Sequence, residues 1–174
     1  MTDPNDNSSR LGMIMALLAS LAVLAVLTLA FQQSLDQRDH PNRSAAAQTV
    51  DGEALELRLE RNRQGHYLVD GEINGHPVTF FVDTGATSIS IPGQLAEEIG
   101  LTRGRALDTR TAGGRVTSYA TRLESVDVGG IRQNDVQATI NPAMDLDEVL
   151  LGMSFLGPLD LSQRDGVLTI RTPE

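Results

Sequence analysis

The sequence contains no cysteine, no tryptophan and no lysine, so all fourteen of its basic residues are arginine. Without cysteine there are no disulfide frameworks, thiolate zinc sites or thiol nucleophiles. The absence names no compartment, because a thiol-free chain tolerates either redox setting. Without lysine there is no Gly-x-x-x-x-Gly-Lys phosphate loop. Aromatic residues make up only 3%, and the net charge is -9. An acidic chain repels phosphate backbones, so no nucleic-acid partner is expected. The arginines near 58–63 and 103–115 read as solvated strand faces and loops. The histidines, His40, His66 and His76, include no His-x-x-x-His pair, and no metal or cofactor is expected. His66 and His76 read as exposed strand or turn residues. No Gly-x-Ser-x-Gly elbow occurs either: Gly152-Met153-Ser154-Phe155-Leu156 begins like one but lacks the second glycine.

What is present begins with one long apolar run. Residues 1–10 are polar and read as a disordered tail. Leu11 to Phe31 carries no charge, and at about 1.5 Å per residue it matches a hydrocarbon core of about 30 Å. A cleaved signal peptide has a shorter apolar core and a small-x-small site, which Thr28-Leu29-Ala30 matches only weakly. A buried globular helix would need a polar face, and this run has none. The run therefore reads as a transmembrane helix over 11–31. Arg10 precedes it, while Arg38 and Arg43 follow, so the flanking charges mildly oppose the usual N-inside orientation. Residues 32–51 are polar, with Pro41 and Ala45-Ala46-Ala47, and read as a flexible linker to a folded domain over 52–174.

From Ala54 the pattern is β. Leu55, Leu57 and Leu59 alternate with Glu56, Arg58 and Glu60, the mark of a half-buried strand. Tyr67–Ile73 and Pro77–Val82 flank Asn74-Gly75, a dipeptide favoured in type I′ hairpin turns. A loop at 83–88 precedes a short strand at Ile89 and Ile91. Pro92 then suits the first turn of a helix through Ile99, which Gly100 stops. A hairpin over 107–123 folds at Gly113-Gly114, and another pair of strands flanks Gly129-Gly130. Val149-Leu150-Leu151 is a short apolar strand ending at Gly152, and a last hairpin turns at Asp165-Gly166. Many short strands with one short helix indicate a closed or sandwiched all-β fold of about 120 residues.

Asp83 follows the apolar Phe80, Phe81 and Val82 and precedes Thr84-Gly85. A carboxylate delivered from a strand end into an apolar setting must be paired, hydrogen-bonded or shifted in its protonation. Alone, Asp-Thr-Gly is an ordinary turn after a strand, because three residues recur often by chance. The whole stretch from Val78 to Pro92, however, closely resembles the active-site strand and loop of retropepsin-like aspartic proteases. Leu150-Leu151-Gly152 resembles that family's second hallmark, and Thr111-Ala112-Gly113-Gly114 lies between them, where the family places its flap. The resemblance covers about residues 52–172 and is closest to a bacterial branch with one N-terminal membrane segment.

It implies a retropepsin-like closed β-barrel, an acid-protease half-lobe with one short helix, behind a single transmembrane helix. It implies Asp83 as the catalytic residue. Thr84, Gly85 and Ala86 would shape the active-site loop, and Leu150, Leu151 and Gly152 would support it from beneath. Ala112, Gly113 and Gly114 would form the flap tip over a protein or peptide substrate. It also implies a bacterial inner-membrane location with the protease domain in the periplasm.

The chemistry needs a base to activate water and an acid to protonate the carbonyl oxygen. Two carboxylates about 4 Å apart repel by about 4 kcal/mol at an effective dielectric near 20. One therefore keeps its proton while the other is ionised, and the pair supplies both functions. The chain has only one Asp-Thr-Gly, so a dyad requires a homodimer with Asp83 from each copy near a two-fold axis. The expected activity is a membrane-anchored aspartic endopeptidase. The alternative is a catalytically silent peptide-binding or assembly module of the same fold. The intact Asp83-Thr84-Gly85 argues against it, because a binding module gains little from an unpaired buried carboxylate.

Overall fold

The computed structural model describes residues 5–50, 52–111 and 114–173. It divides into two compact units, one ending at Asp39 and one beginning at His40.

The first unit is a helix, α1 (Asn5–Asp39). Its stretch from Gly12 to Gln32 has a mean hydropathy of 2.7 and could be a membrane span or a signal sequence by length and composition. The two hydroxyls inside this stretch bond back into the helix: Ser20 Oγ donates to Ala16 O at 2.9 Å and Thr28 Oγ1 to Leu24 O at 2.8 Å. Neither needs water, as a lipid-facing helix requires. α1 continues through 32–39, where the sequence suggested a flexible linker. That stretch contains neither glycine nor proline, and extending an existing helix needs no new nucleus. Pro41 lies just beyond its end, where helices usually stop.

The rest of the expected linker is also ordered. Asn42 is buried. Its Nδ2 donates to Glu60 O at 2.9 Å and to Leu68 O at 2.8 Å, and its Oδ1 accepts from Glu60 N at 2.7 Å. Ala47 N donates to Gly129 O at 2.6 Å. The strand β1 (Gln48–Val50) then pairs with β2 (Ala54–Glu60). The second unit thus begins some ten residues before the expected start at 52, because backbone groups in two strands need the Asn42 amide. Asn42→Ala is expected to lower the stability of this unit by about 2 kcal/mol, since it removes the partner of one buried and two part-buried backbone groups. Urea unfolding checks this, and a loss below about 0.5 kcal/mol would contradict it.

The remaining elements are β3 (Leu68–Ile73), β4 (His76–Val82), β5 (Ile89–Pro92), α2 (Gly93–Glu98), β6 (Ala106–Thr111), β7 (Gly114–Val128), β8 (Ile131–Asn141), β9 (Val149–Leu151), α3 (Met153–Leu156), β10 (Asp160–Arg164) and β11 (Val167–Arg171). One sheet has the order β1-β2-β11-β10. The other has the order β3-β4-β9-β5-β8-β7-β6, and an added β3–β7 pairing closes it into a barrel with β6 outside. The closed, mostly β architecture is the one the family resemblance implied, with the single turn of α3 in addition.

Turn chemistry explains the hairpins. Asn74-Gly75, Gly129-Gly130 and Asp165-Gly166 each hold two successive positive φ angles, the requirement of a type I′ turn. β3 and β4 consequently pair from Ile73↔His76 outward. Alternation fixes which side chains enter the core. In β4, Val78, Phe80 and Val82 are buried, while Thr79 and Phe81 are only partly so. The core is largely aliphatic, with Phe80 and Phe155 its largest fully buried side chains.

Candidate active site

Asp83 sits at the point where β4 leaves the barrel. β4 and β9 run parallel, with Phe80↔Val149, Phe81↔Leu150 and Val82↔Leu151 in register. The ladder extends one step further, because Asp83 N donates to Leu151 O at 3.1 Å. On the other side, Val82 N donates to Tyr67 O at 2.9 Å. The backbone that presents Asp83 is therefore held from two directions.

The loop then folds around its own carboxylate. Gly85 N donates to Asp83 Oδ1 at 2.9 Å, and Ala86 N donates to Asp83 O at 3.1 Å. No side chain among the described residues bonds the Asp83 carboxylate, which stays half-buried. Thr84 is exposed on the single chain and Ala86 is half-buried.

Beneath the loop lies the second motif. β9 carries Leu150 and Leu151 between β4 and β5, with Leu151 fully buried and Leu150 partly so. Gly152 packs so closely that a Cβ there would lie 2.3 Å from Ser88 O and 2.7 Å from Ala86 O. Only glycine leaves room for the loop to cross at this height. Met153 N then donates to Ala86 O at 2.8 Å, tying the loop to the start of α3. Sequence and structure thus bring Asp83, Thr84, Gly85, Ala86, Leu150, Leu151 and Gly152 into one cluster, although the two segments are far apart in the chain.

One contributor escaped the sequence reading. Ser154 Oγ accepts from Ile89 N at 3.0 Å, so the serine of the incomplete elbow motif clamps the end of the Asp83 loop. The signal was only a hydroxyl two residues after Gly152, which has no meaning until β5 lies beside α3.

The β6–β7 hairpin has the register Ala106↔Tyr119 through Thr111↔Gly114. Of the expected flap tip, Gly114 opens β7 at φ 117, and Ala112 and Gly113 lie outside the described residues. At the hairpin's base, Tyr119 packs against the core and lies 5.4 Å beneath the Arg103 guanidinium. A surface cleft of about 500 Å³ is lined by Asn74, Leu101, Thr102, Arg122 and Glu124, among others, and includes none of the Asp83 cluster.

Residues 69–158, which span both halves of this cluster, match the family described as gag-polyprotein putative aspartyl protease. The chain belongs to the retropepsin-like aspartic protease family. A crystal structure of a retropepsin-like aspartic protease from Rickettsia conorii is similar to this family member at 25% identity and a TM-score of 0.57. The match covers 74% of this chain and 95% of that one. An uncharacterized protein in the cobV 5′ region of a Sinorhizobium species is 31% identical over 126 residues, 71% of this chain and 54% of that protein. An uncharacterized protein of Rickettsia prowazekii is 31% identical over 107 residues, 60% of this chain and 46% of that protein. This retropepsin-like chain thus spans about half the length of the curated relatives it matches.

Proposed function

We propose that this protein is a membrane-anchored aspartic endopeptidase that works as a homodimer. The observation that carries the reading is the Asp83 loop. It presents one carboxylate per chain, held through its backbone and by Gly85 N, with no side-chain partner among the described residues. In the dimer the Asp83 carboxylates of two copies share one proton. The ionised one takes a proton from a bound water, and the protonated one donates to the carbonyl oxygen as the tetrahedral intermediate forms.

Thr84 is exposed and available to the opposite loop, while Leu150, Leu151 and Gly152 keep each loop at its height. The hairpin ending at Ala112, Gly113 and Gly114 covers an extended peptide, which pairs with it as an added strand. Leu11–Phe31 anchors the enzyme in a bacterial inner membrane with the folded unit in the periplasm. Confinement to a plane raises the effective concentration of protomers and favours the dimer.

The test is digestion of an unstructured protein by purified enzyme over a range of protomer concentrations. Specific activity is expected to rise with concentration and level off as the dimer saturates. Cleavage whose specific activity never changes, in a chain that stays monomeric, would refute the shared site. No cleavage from pH 3 to 8 by a dimeric preparation would favour the catalytically silent module.

A further inference from the structure

The folded unit takes hold of the incoming chain at one end of its smaller sheet. Asn42 comes three residues after the end of α1 and bonds both backbone groups of Glu60, the last residue of β2. Just beyond, Arg61 N donates to Gly166 O at 3.1 Å. The end of β2, the β10–β11 turn and the start of the unit therefore meet in one place. Four arginines stand there. Arg43 follows Asn42, Arg61 and Arg63 follow β2, and Arg164 precedes the β10–β11 turn, opposite the same Val167 that pairs with Glu60. All four are exposed, and none has an ion pair among the described residues.

The loop at 61–66 holds its arginines outward. Asn62 is buried, and its Oδ1 accepts from Gln64 N at 3.1 Å and from His66 N at 2.9 Å. Asn62 N donates to His66 O at 2.8 Å, and Gly65 N to Asn62 O at 3.0 Å. With residue 62 turned inward, Arg61 and Arg63 on either side of it face solvent. The exposed carboxylates at this end are Glu60 and Asp165. Asp70 is half-buried, accepts from Thr79 Oγ1 at 2.9 Å and lies 3.4 Å from His40 Nε2. Four arginines against two exposed carboxylates leave a local excess of positive charge, in a chain whose net charge is -9.

We propose that this basic end of the folded unit docks on the headgroups of an anionic bilayer, the membrane that holds its own apolar helix. The inference rests on the membrane-anchored reading above. Guanidinium groups pair with phosphate oxygens through two parallel hydrogen bonds, which suits a chain whose basic residues are all arginine. An anionic leaflet attracts each arginine near its surface, and the attraction falls off within about 8–10 Å. α1 runs seven residues past Gln32, where its apolar stretch ends, and that is about 10 Å of helix. The folded unit thus begins within the reach of the headgroup field. The same surface repels the rest of the acidic chain, so the field selects this end. Docking gives the unit a second hold on the membrane besides its covalent tether.

The experiment places the full-length chain in nanodiscs of phosphatidylcholine, alone or with about one third phosphatidylglycerol. Phenylglyoxal modifies accessible guanidinium groups, and peptide mass mapping gives a rate at each arginine. The chain has no lysine or cysteine to compete for the reagent. Rates at Arg61, Arg63 and Arg164 are expected to fall about fivefold or more in the anionic discs and to recover in high salt. Arg115, in the β6–β7 hairpin of the other sheet, is expected to keep one rate in both. Arg61→Glu with Arg63→Glu is expected to return Arg164 to its rate in neutral discs. Alkaline extraction of the same chain from vesicles tests the anchor separately. A chain that resists extraction but shows equal rates in the two discs, an equal fall at Arg115, or full protection of Arg164 in the double variant overturns the docking end and leaves the anchor standing. A chain that extraction strips from the vesicles overturns both.

Discussion

Asp83→Asn is expected to remove cleavage, by about four orders of magnitude or more, while leaving the fold in place. The amide has nearly the shape of the carboxylate, and its oxygen can still accept from Gly85 N, which lies 2.9 Å from Asp83 Oδ1. It cannot take a proton from water or carry one to a carbonyl. General acid and general base catalysis are each worth about 10²–10⁴, and a homodimeric variant loses both roles. Stability should change by less than about 1 kcal/mol, because no ion pair is broken at the site. Mixing gives a sharper result. At equal amounts of wild type and variant, only about one quarter of randomly formed dimers hold two carboxylates. Specific activity per total protomer should fall to that fraction, whereas a monomeric enzyme would keep half. Digestion of an unstructured protein by the pure and mixed preparations decides the matter, and undiminished cleavage by the pure variant would sink the proposed mechanism.

Gly152→Ala carries the second large effect, this time on structure as well as activity. The added methyl would stand 2.3 Å from Ser88 O, 2.6 Å from Ser88 C and 2.7 Å from Ala86 O. These are backbone atoms of the Asp83 loop, so no side-chain rotation relieves the clash. The loop or β9 must move, yet Asp83 N is bonded to Leu151 O and Ala86 O to Met153 N on either side of the glycine. Overpacking of this kind costs about 3 kcal/mol. A loop displaced by about 1 Å would also lower the rate about a hundredfold in the protein that remains folded. Gly85→Ala makes a useful contrast. Its nearest atom is Asp83 Oδ1 at 3.2 Å, so its effect on unfolding should be smaller. Urea unfolding of both variants beside their digestion rates separates the two effects. If Gly152→Ala were as stable as wild type, the close crossing would have no energetic weight.

Several parts of this protein were legible in the sequence because their causes are local. Asn74-Gly75 and Asp165-Gly166 turn where they do because successive residues with positive φ suit asparagine, aspartate and glycine. Alternating Leu55, Leu57 and Leu59 mark a strand because neighbouring side chains point to opposite faces. Leu11 to Phe31 declares its apolar character by composition alone, and the family shows in the words around Asp83 and Gly152.

The tertiary structure decided what depends on distant partners. Residues 40–50 look featureless because their order comes from Glu60, Leu68 and Gly129, none of them a neighbour in sequence. Ser154 gained its role only when α3 packed beside β5. The same holds for the Asp83 loop. The sequence by itself determined that Asp83-Thr84-Gly85 and Leu150-Leu151-Gly152 resemble the two motifs of one family. Only the parallel pairing of β4 with β9 brings Leu151 O to Asp83 N. Parallel strands require a long crossover, and no local backbone preference can encode their register.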